Sequence, residues 1–305
     1  GAALGSGMEP SAAARTDRPA NAPVRKALVL LNEKAGSVQP GDGERLVAAL
    51  RESGVGQFAI VGSGKMSRRL FAQARGFDII VVLGGDGTAR AAASLAPRDG
   101  PPLVLLPGGT LNILPKALYG DLAWPDALKA ALERGVEKRM PAGLANGQRF
   151  FVAAMFGAPT VLARVREAAR EGQFATAFGR MGAYFKRAFV RGLRARANRD
   201  PFRKAEAIGA LLPSFGGGLE GDGLEWVHLK ANHFVDLARV SVRALGEGWR
   251  NDDAVDTWPA HAGDIVSTGM IPATLDGEPH NFFSRVHVTY DAKGVRVLAL
   301  EPERA

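Results

Sequence analysis

The sequence predicts an α/β domain followed by a mainly antiparallel β domain. Three observations carry this. Short apolar runs alternate with helix-spaced segments up to about residue 135. Three of those runs end in polar or glycine-rich turns, at Asn32, Gly84 and Gly108. Beyond residue 136 the pattern becomes strand-rich, with alternation such as Val286, Val288 and Tyr290 against His287 and Thr289. Strands alternating with helices imply a parallel sheet covered on both faces, whereas alternation within a strand implies an antiparallel sheet.

The elements follow in order. Residues 1–24 read as a disordered lead-in: Gly1 to Gly7 is an expression scar ahead of Met8, and the stretch to Pro23 is rich in Ala and Pro without the apolar core of a signal peptide. The α/β domain is expected over 25–135. Residues 26–31 form a first strand ending in the turn Asn32-Glu33-Lys34-Ala35-Gly36. Residues 43–53 have helical spacing, with Leu46, Val47 and Leu50 on one face. A strand at 58–61 and a helix at 67–75 come next, with Ser67 placed to cap. The apolar run 78–83 leads into Gly84-Gly85-Asp86-Gly87-Thr88 and a helix at 89–95. A fourth strand, 102–106, leads into Gly108-Gly109-Thr110-Leu111-Asn112, then helices at 113–118 and 124–134. The β domain is expected over 136–305, with its C-terminal strand able to return to the first domain. Its strands are placed at 150–156, 224–231, 264–271, 285–290 and 295–300, and its helices at 160–197 and 234–245.

Composition narrows the chemistry. With no cysteine among 305 residues, disulfides and thiolate metal sites are excluded. No apolar run reaches the roughly 20 residues that span a bilayer. The net charge of +8 is concentrated: residues 164–204 hold twelve Lys or Arg against three acids, a local +9 that leaves −1 for the rest. Within that segment Phe178, Met181, Phe185 and Phe189 recur at helical spacing, beside an arginine stripe of Arg180, Arg187, Arg191 and Arg194. Such a helix, opening at Phe178 and closing at Arg196, suits either its own protein's core or an anionic membrane surface. The same charge could serve nucleic acid, but no nucleic-acid-binding motif accompanies it.

The glycine turns point to phosphate. Glycines let backbone approach a polyphosphate, and the first amides of the following helix point at it. Neither turn has the Lys-Ser/Thr ending of a P-loop or the spacing of a dinucleotide fold. Two such exits from neighbouring strands are harder to explain as plain turns than one. Thr88 and Thr110 can each offer a hydroxyl, and Asp86 either binds a metal or holds the loop. Asp276 and Glu278 flank Gly277 in a late polar turn. They read as a tight turn with solvated acids, or as carboxylates that take a proton from a hydroxyl. Glu220-Gly221-Asp222-Gly223 reads as an ordinary turn, or as a hard-cation site where its carbonyls converge.

Taken together, these motifs resemble the diacylglycerol kinase catalytic-domain family, which spans bacterial soluble lipid kinases and sphingosine and ceramide kinases. The resemblance runs from about Lys26 to Pro302. It rests on Asn32 to Gly36, Gly84 to Thr88, Gly108 to Asn112, Gly221 to Leu224 and Leu275 to Pro279. It implies a domain similar to that of NAD kinases, a β-sandwich domain, and ATP in the cleft between them. Carried over by position, nucleotide contacts fall on Asn32, Gly36, Gly84, Gly85, Asp86, Gly87, Thr88, Gly109, Thr110 and Asn112. Glu278 matches the family's proton acceptor, with Asp276 beside it and Asp86 as a third acidic candidate. Asp222 with main-chain oxygens of Leu219 and Leu224 matches a structural Mg²⁺ site. The implied activity is ATP- and Mg²⁺-dependent transfer to a hydroxyl of diacylglycerol, ceramide or a related lipid, by a cytoplasmic enzyme that associates peripherally with membrane.

The chain departs from the family pattern in three places. Glu33 and Ala35 replace the usual Pro and Ser, Ile113 follows Asn112 in place of the common acid, and the span from Arg203 to Gly221 is short. Two alternatives remain: a soluble small-molecule kinase of the NAD kinase type, and a catalytically inactive lipid-binding protein.

Overall fold

The computed structural model describes residues 23–157, 193–213, 221–229 and 255–301. The first four strands are β1 (Lys26–Leu31), β2 (Gln57–Gly62), β3 (Ile79–Gly84) and β4 (Leu103–Pro107). They pair in parallel in the order β2-β1-β3-β4. Their residues are apolar because both faces are covered, and Ile79 to Leu83 are all buried. The covering helices are α1 (Asp42–Glu52), α2 (Arg68–Gln73), α3 (Asp86–Leu95), α4 (Ile113–Tyr119) and α5 (Trp124–Arg134). The Ser67 hydroxyl accepts from the Leu70 amide at 3.3 Å, so the expected cap is present. The β3–β4 register ends at Gly84 opposite Pro107, which brings the two glycine turns side by side beyond the strands' carboxyl ends.

One boundary differs with consequence. The helix after the first glycine turn starts at Asp86 rather than 89, with the Ala89 amide donating to the Gly85 carbonyl at 3.0 Å. Asp86, Gly87 and Thr88 are therefore its first turn, not a loop preceding it.

The remaining strands are β5 (Val136–Ala145), β6 (Gln148–Phe150), β7 (Ala153–Gly157), β8 (Arg194–Ala197), β9 (Arg203–Lys204), β10 (Ala207–Leu211), β11 (Leu224–Leu229), β12 (Val255–Ala260), β13 (Ala262–Leu275) and β14 (Glu278–Ala299). They pair with one another antiparallel, as the alternating pattern predicts. They enclose a second core around Trp226, Phe150 and Phe156. β10 fits the short span after Arg203, lying between β7 and β11.

Several expectations are corrected. β5 and β6 join through Asn146-Gly147, both left-handed at φ 46° and 83°, an Asn-Gly hairpin signal passed over in the sequence. The expected strand 150–156 is broken at Phe151 and Val152, for a reason given below. Residues 194–197, expected to end a helix, form β8, with Ala195 and Ala197 buried and Arg194 outside. The rest of the expected basic helix, the helix at 234–245 and Leu219 lie outside the described residues. The expected strands 285–290 and 295–300 are one 22-residue strand, β14. Its register against β5 shifts between Asp291 and Val295, and a side chain at Gly294 would run into the Met140 carbonyl.

β14 ties the two parts together. Val297 pairs with Leu103 of β4, and residues 295–299 pack in the first core. The Tyr119 hydroxyl donates to the Leu298 carbonyl at 2.7 Å, and Arg296 pairs with Glu137. Among the described residues no helix is long and apolar enough to cross a membrane.

Candidate active site: two glycine turns facing an acidic hairpin

The two glycine turns touch through bare backbone. The Gly108 amide donates to the Gly84 carbonyl at 2.9 Å. A Cβ on Gly109 would stand 2.7 Å from the Gly85 Cα, and one on Gly108 would stand 3.0 Å from the Gly84 Cα. A Cβ on Gly84 would meet Thr88 at 2.8 Å. These three glycines are thus required by the protein's own packing. Gly85 and Gly87 differ: a Cβ there meets only ordinary contacts, at 3.5 and 3.8 Å. Gly36 likewise has room, with Thr110 Oγ1 at 3.8 Å.

Asp86 fastens the turns. Its Oδ2 accepts from the Asn112 amide at 2.8 Å and its Oδ1 from the Ile113 amide at 2.7 Å. Those are the first donors of α4, a favourable place for a carboxylate. Asn112 sits left-handed at φ 53°, and its side chain closes the second turn onto the Gly109 amide and carbonyl, each at 2.8 Å. The backbone of position 113 is thereby engaged, whichever side chain it carries.

The first turn is locked as well. Asn32 Nδ2 donates to the Thr88 hydroxyl at 2.8 Å, and Thr88 is buried. Ser37 Oγ donates to the Gly109 carbonyl at 2.8 Å and its amide donates to the Gly108 carbonyl at 3.0 Å. Ser37 escaped the sequence reading because it lies outside the motif, one residue beyond Gly36. Thr110 remains exposed.

The acidic turn is a two-residue hairpin between β13 and β14. Leu275 pairs with Glu278, and Asp276 and Gly277 are left-handed at φ 51° and 89°. The two acids diverge. Asp276 accepts from the Phe151, Val152 and Ala153 amides at 2.8, 2.7 and 2.9 Å. Those donors are the residues that interrupt the expected strand, so the carboxylate stands in for a ladder partner. Burial raises the Asp276 carboxyl above the ordinary range, opposed by the three amides and by the charge of Arg90. Glu278 is 69% exposed, with Oε1 3.7 Å from the Arg90 guanidinium.

Between α2, α3 and this hairpin lies a cleft of about 740 Å³ that includes Gly87, Arg90, Asp276 and Glu278 in its walls. Arg68, Arg75 and Arg149 also line it, so with Arg90 four arginines border the cleft, a lining that favours an anionic occupant. Arg90 Nε donates to the Asp86 carbonyl at 3.2 Å, and Arg149 donates to the Ala96 carbonyl at 2.8 Å. Burial, and then the nearby charge of Arg98, lower the Arg149 pKa. None of the four arginines stood out in the sequence. Arg90 lies one helical turn past Asp86, the one signal that could have found it.

The third motif is a turn. Gly221 and Gly223 have φ 145° and 126°, and a Cβ on Gly223 would stand 2.9 Å from the Ala260 carbonyl. The Gly221 carbonyl accepts from the Tyr290 hydroxyl at 3.0 Å, and Asp222 is exposed. Among the described residues no three His, Cys, Asp or Glu side chains gather as a metal site. The expected Mg²⁺ site draws on main-chain oxygens of Leu219 and Leu224 beside Asp222, and Leu219 lies outside the described residues.

Residues 26–143 match the diacylglycerol kinase catalytic domain, so the expected resemblance is borne out over that stretch. No curated protein matches the chain. Three solved structures of proteins from Bacillus anthracis str. Sterne share the fold, each named a diacylglycerol kinase, two with the qualifier "putative". The first superposes with a TM-score of 0.64 at 15% identity, covering 90% of this chain and 97% of that one. The second gives 0.62 at 14%, with the same coverage.

Proposed function

We propose, starting from the diacylglycerol kinase catalytic-domain match over residues 26–143, that the protein is an ATP-dependent lipid kinase. The observation that carries this is the cleft itself. It has a glycine-lined helix start at Gly87 on one wall and a solvent-accessible carboxylate, Glu278, on the other, among four arginines. The acceptor is a hydroxyl of diacylglycerol, ceramide or a related lipid. Phosphoryl transfer depends mainly on positioning and charge neutralisation, which is what arginines and helix amides supply. Mg²⁺ brought with ATP would add to that neutralisation; of the two cleft carboxylates, Glu278 is the one whose oxygens are not committed to backbone amides.

Each residue then has a part. Gly85, Gly87 and Gly36, which have room around them, admit the phosphates, and Thr110 offers a hydroxyl. Asp86 holds the second turn against the first. Asp276 anchors the hairpin so that Glu278 faces the cleft. Glu278 takes the proton of the acceptor hydroxyl, the oxygen of that hydroxyl bonds to the γ-phosphorus, the bond from that phosphorus to the β–γ bridging oxygen breaks, and ADP leaves. In this reading the enzyme is cytoplasmic and meets its acceptor at a membrane surface.

The test is ATP labelled at its γ-phosphate, incubated with vesicles carrying single candidate lipids, followed by identification of the labelled product. Label in diacylglycerol or ceramide is the expected result and names the acceptor. Label only in a soluble acceptor such as NAD would replace this reading with a small-molecule kinase. Vesicle binding without ATP turnover would replace it with an inactive lipid-binding protein.

A further inference from the structure

The outer face of the β13–β14 hairpin is chemically unusual. Met270 and Phe283 are register partners and are 51% and 73% exposed. Two exposed large apolar side chains directly opposite each other form a patch, not isolated surface residues. Beyond a register shift between Val266 and Met270, the next rungs of the hairpin set their surroundings. Val266 pairs with Arg285 on one side and with Arg194 on the other, and Arg194 pairs with Lys204 of β9. Asp264, two residues on, pairs with Arg196 and His287. Paired residues share a face, and on β14 Phe283, Arg285 and His287 are exposed while Phe282, Val286 and Val288 are buried, so Arg194, Arg196, Lys204 and Arg285 lie on the same outer face as the apolar pair.

Across these register positions Asp264 is the one carboxylate, and it is spent. It is 6% exposed and bonded to Arg196 at 2.8 Å, to Arg285 at 2.8 Å and to His287 at 3.1 Å. Four cations against one buried carboxylate leave a net of three positive charges. Arg196 and Arg285 are pinned by Asp264, and Arg196 also lies over the Phe202 ring at 4.7 Å. Cations around an exposed Phe and Met match an anionic bilayer, whose headgroups attract the charges while its acyl boundary accepts the apolar side chains.

We infer that this face docks the protein on an anionic lipid bilayer through Met270 and Phe283, collared by Arg194, Arg196, Lys204 and Arg285. The inference deepens the lipid-kinase reading and rests on it for the identity of the surface. Phe283 stands five residues along β14 from Glu278, about 17 Å at strand spacing. A bilayer held there lies within one strand's length of the acidic hairpin, where a lipid hydroxyl has to arrive.

The test is sedimentation of the full chain with vesicles of phosphatidylcholine containing phosphatidylglycerol, without ATP, against pure phosphatidylcholine vesicles. Wild type is expected to bind the anionic vesicles and to release as salt rises from 50 to 500 mM. The exposed double variant M270S/F283S should lose about tenfold or more in partitioning, and K204E about fivefold. Both should keep the wild-type Tm and full turnover on a dispersed short-chain acceptor. Wild-type binding by both variants, or no binding by wild type, would overturn the inference. So would concentration-dependent dimerisation abolished by M270S/F283S in the absence of vesicle binding, which would give the face to a second copy. Vesicle binding that behaves as expected alongside no lipid phosphorylation would instead count against the kinase reading alone.

Discussion

The carboxylate of Asp86 accepts the backbone amides of both Asn112 and Ile113, so the first glycine motif holds the second in place. The five-residue motif therefore contributes two different things. Asp86 and Gly84 hold the two turns together, whereas Gly85 and Gly87 have room around them, and Gly87 lines the cleft.

Replacing Asp86 by Ala removes two charge-assisted hydrogen bonds and strands two α4 donors. The expected cost is about 1.5–3 kcal/mol of stability together with loss of phosphoryl transfer. Urea unfolding and the labelled-ATP assay measure the two effects. Lost turnover at unchanged stability would move Asp86 from a positioning role to direct chemistry.

The glycines separate by the same logic. Gly109→Ala drives a Cβ to 2.7 Å from the Gly85 Cα, so a loss of about 1–3 kcal/mol is expected. Gly87→Ala sits in the first turn of α3 with open space and should gain up to about 1 kcal/mol. It should nonetheless raise the KM for ATP, because the added methyl points where phosphate approaches. Thermal denaturation and ATP titration of the two variants decide this.

Glu278→Gln should leave stability within about 0.5 kcal/mol of wild type, since the side chain is 69% exposed. The same change should lower kcat at least about 100-fold, because the amide cannot accept the proton. Near-wild-type kcat would remove Glu278 from the role of base. Asp276→Asn is expected to behave differently, losing stability first, because an amide cannot accept all three of the amides at 151–153.

Asp264 predicts an acid limb of stability. Burial would raise its carboxyl, but the hydrogen bonds from Arg285, Arg196 and His287 outweigh burial and hold it at about 2, against an ordinary 3.8. A carboxyl whose pKa is lower folded than unfolded stabilises fully above the unfolded value. That contribution is lost as pH falls from about 4 through about 2. Unfolding free energies at pH 5, 3 and 2 should show it, and Asp264→Asn should flatten that part of the profile.

The parallel half of the fold was legible because each buried strand is a continuous apolar run closed by turn chemistry. The antiparallel half was less so. β10 and β12 are short and carry no strong alternation, and β8 placed arginines at a spacing that also fits a helix. The long strand β14 was split at Gly294, which reads as a breaker in sequence and is a bulge in the structure. For the site, the cleft's walls include Gly87, Asp276 and Glu278 of the residues singled out in the sequence, while Gly108 to Asn112 pack against the first turn and are not in those walls. The arginines were missed because their meaning comes from convergence: Arg68 and Arg149 lie about 80 residues apart in the chain and line one cavity.

What the sequence determined by itself was the inventory: glycine exits after two apolar strands, a late Asp-Gly-Glu turn, and a cationic segment. Those are local properties of backbone freedom, apolar patterning and charge. Only the tertiary structure decided how roles divide among them. Asp276 and Glu278 are two residues apart, yet one is turned onto three amides and the other toward the cleft. A left-handed two-residue turn sends neighbouring side chains in different directions, and which of them finds donors depends on a segment more than 120 residues earlier in the chain.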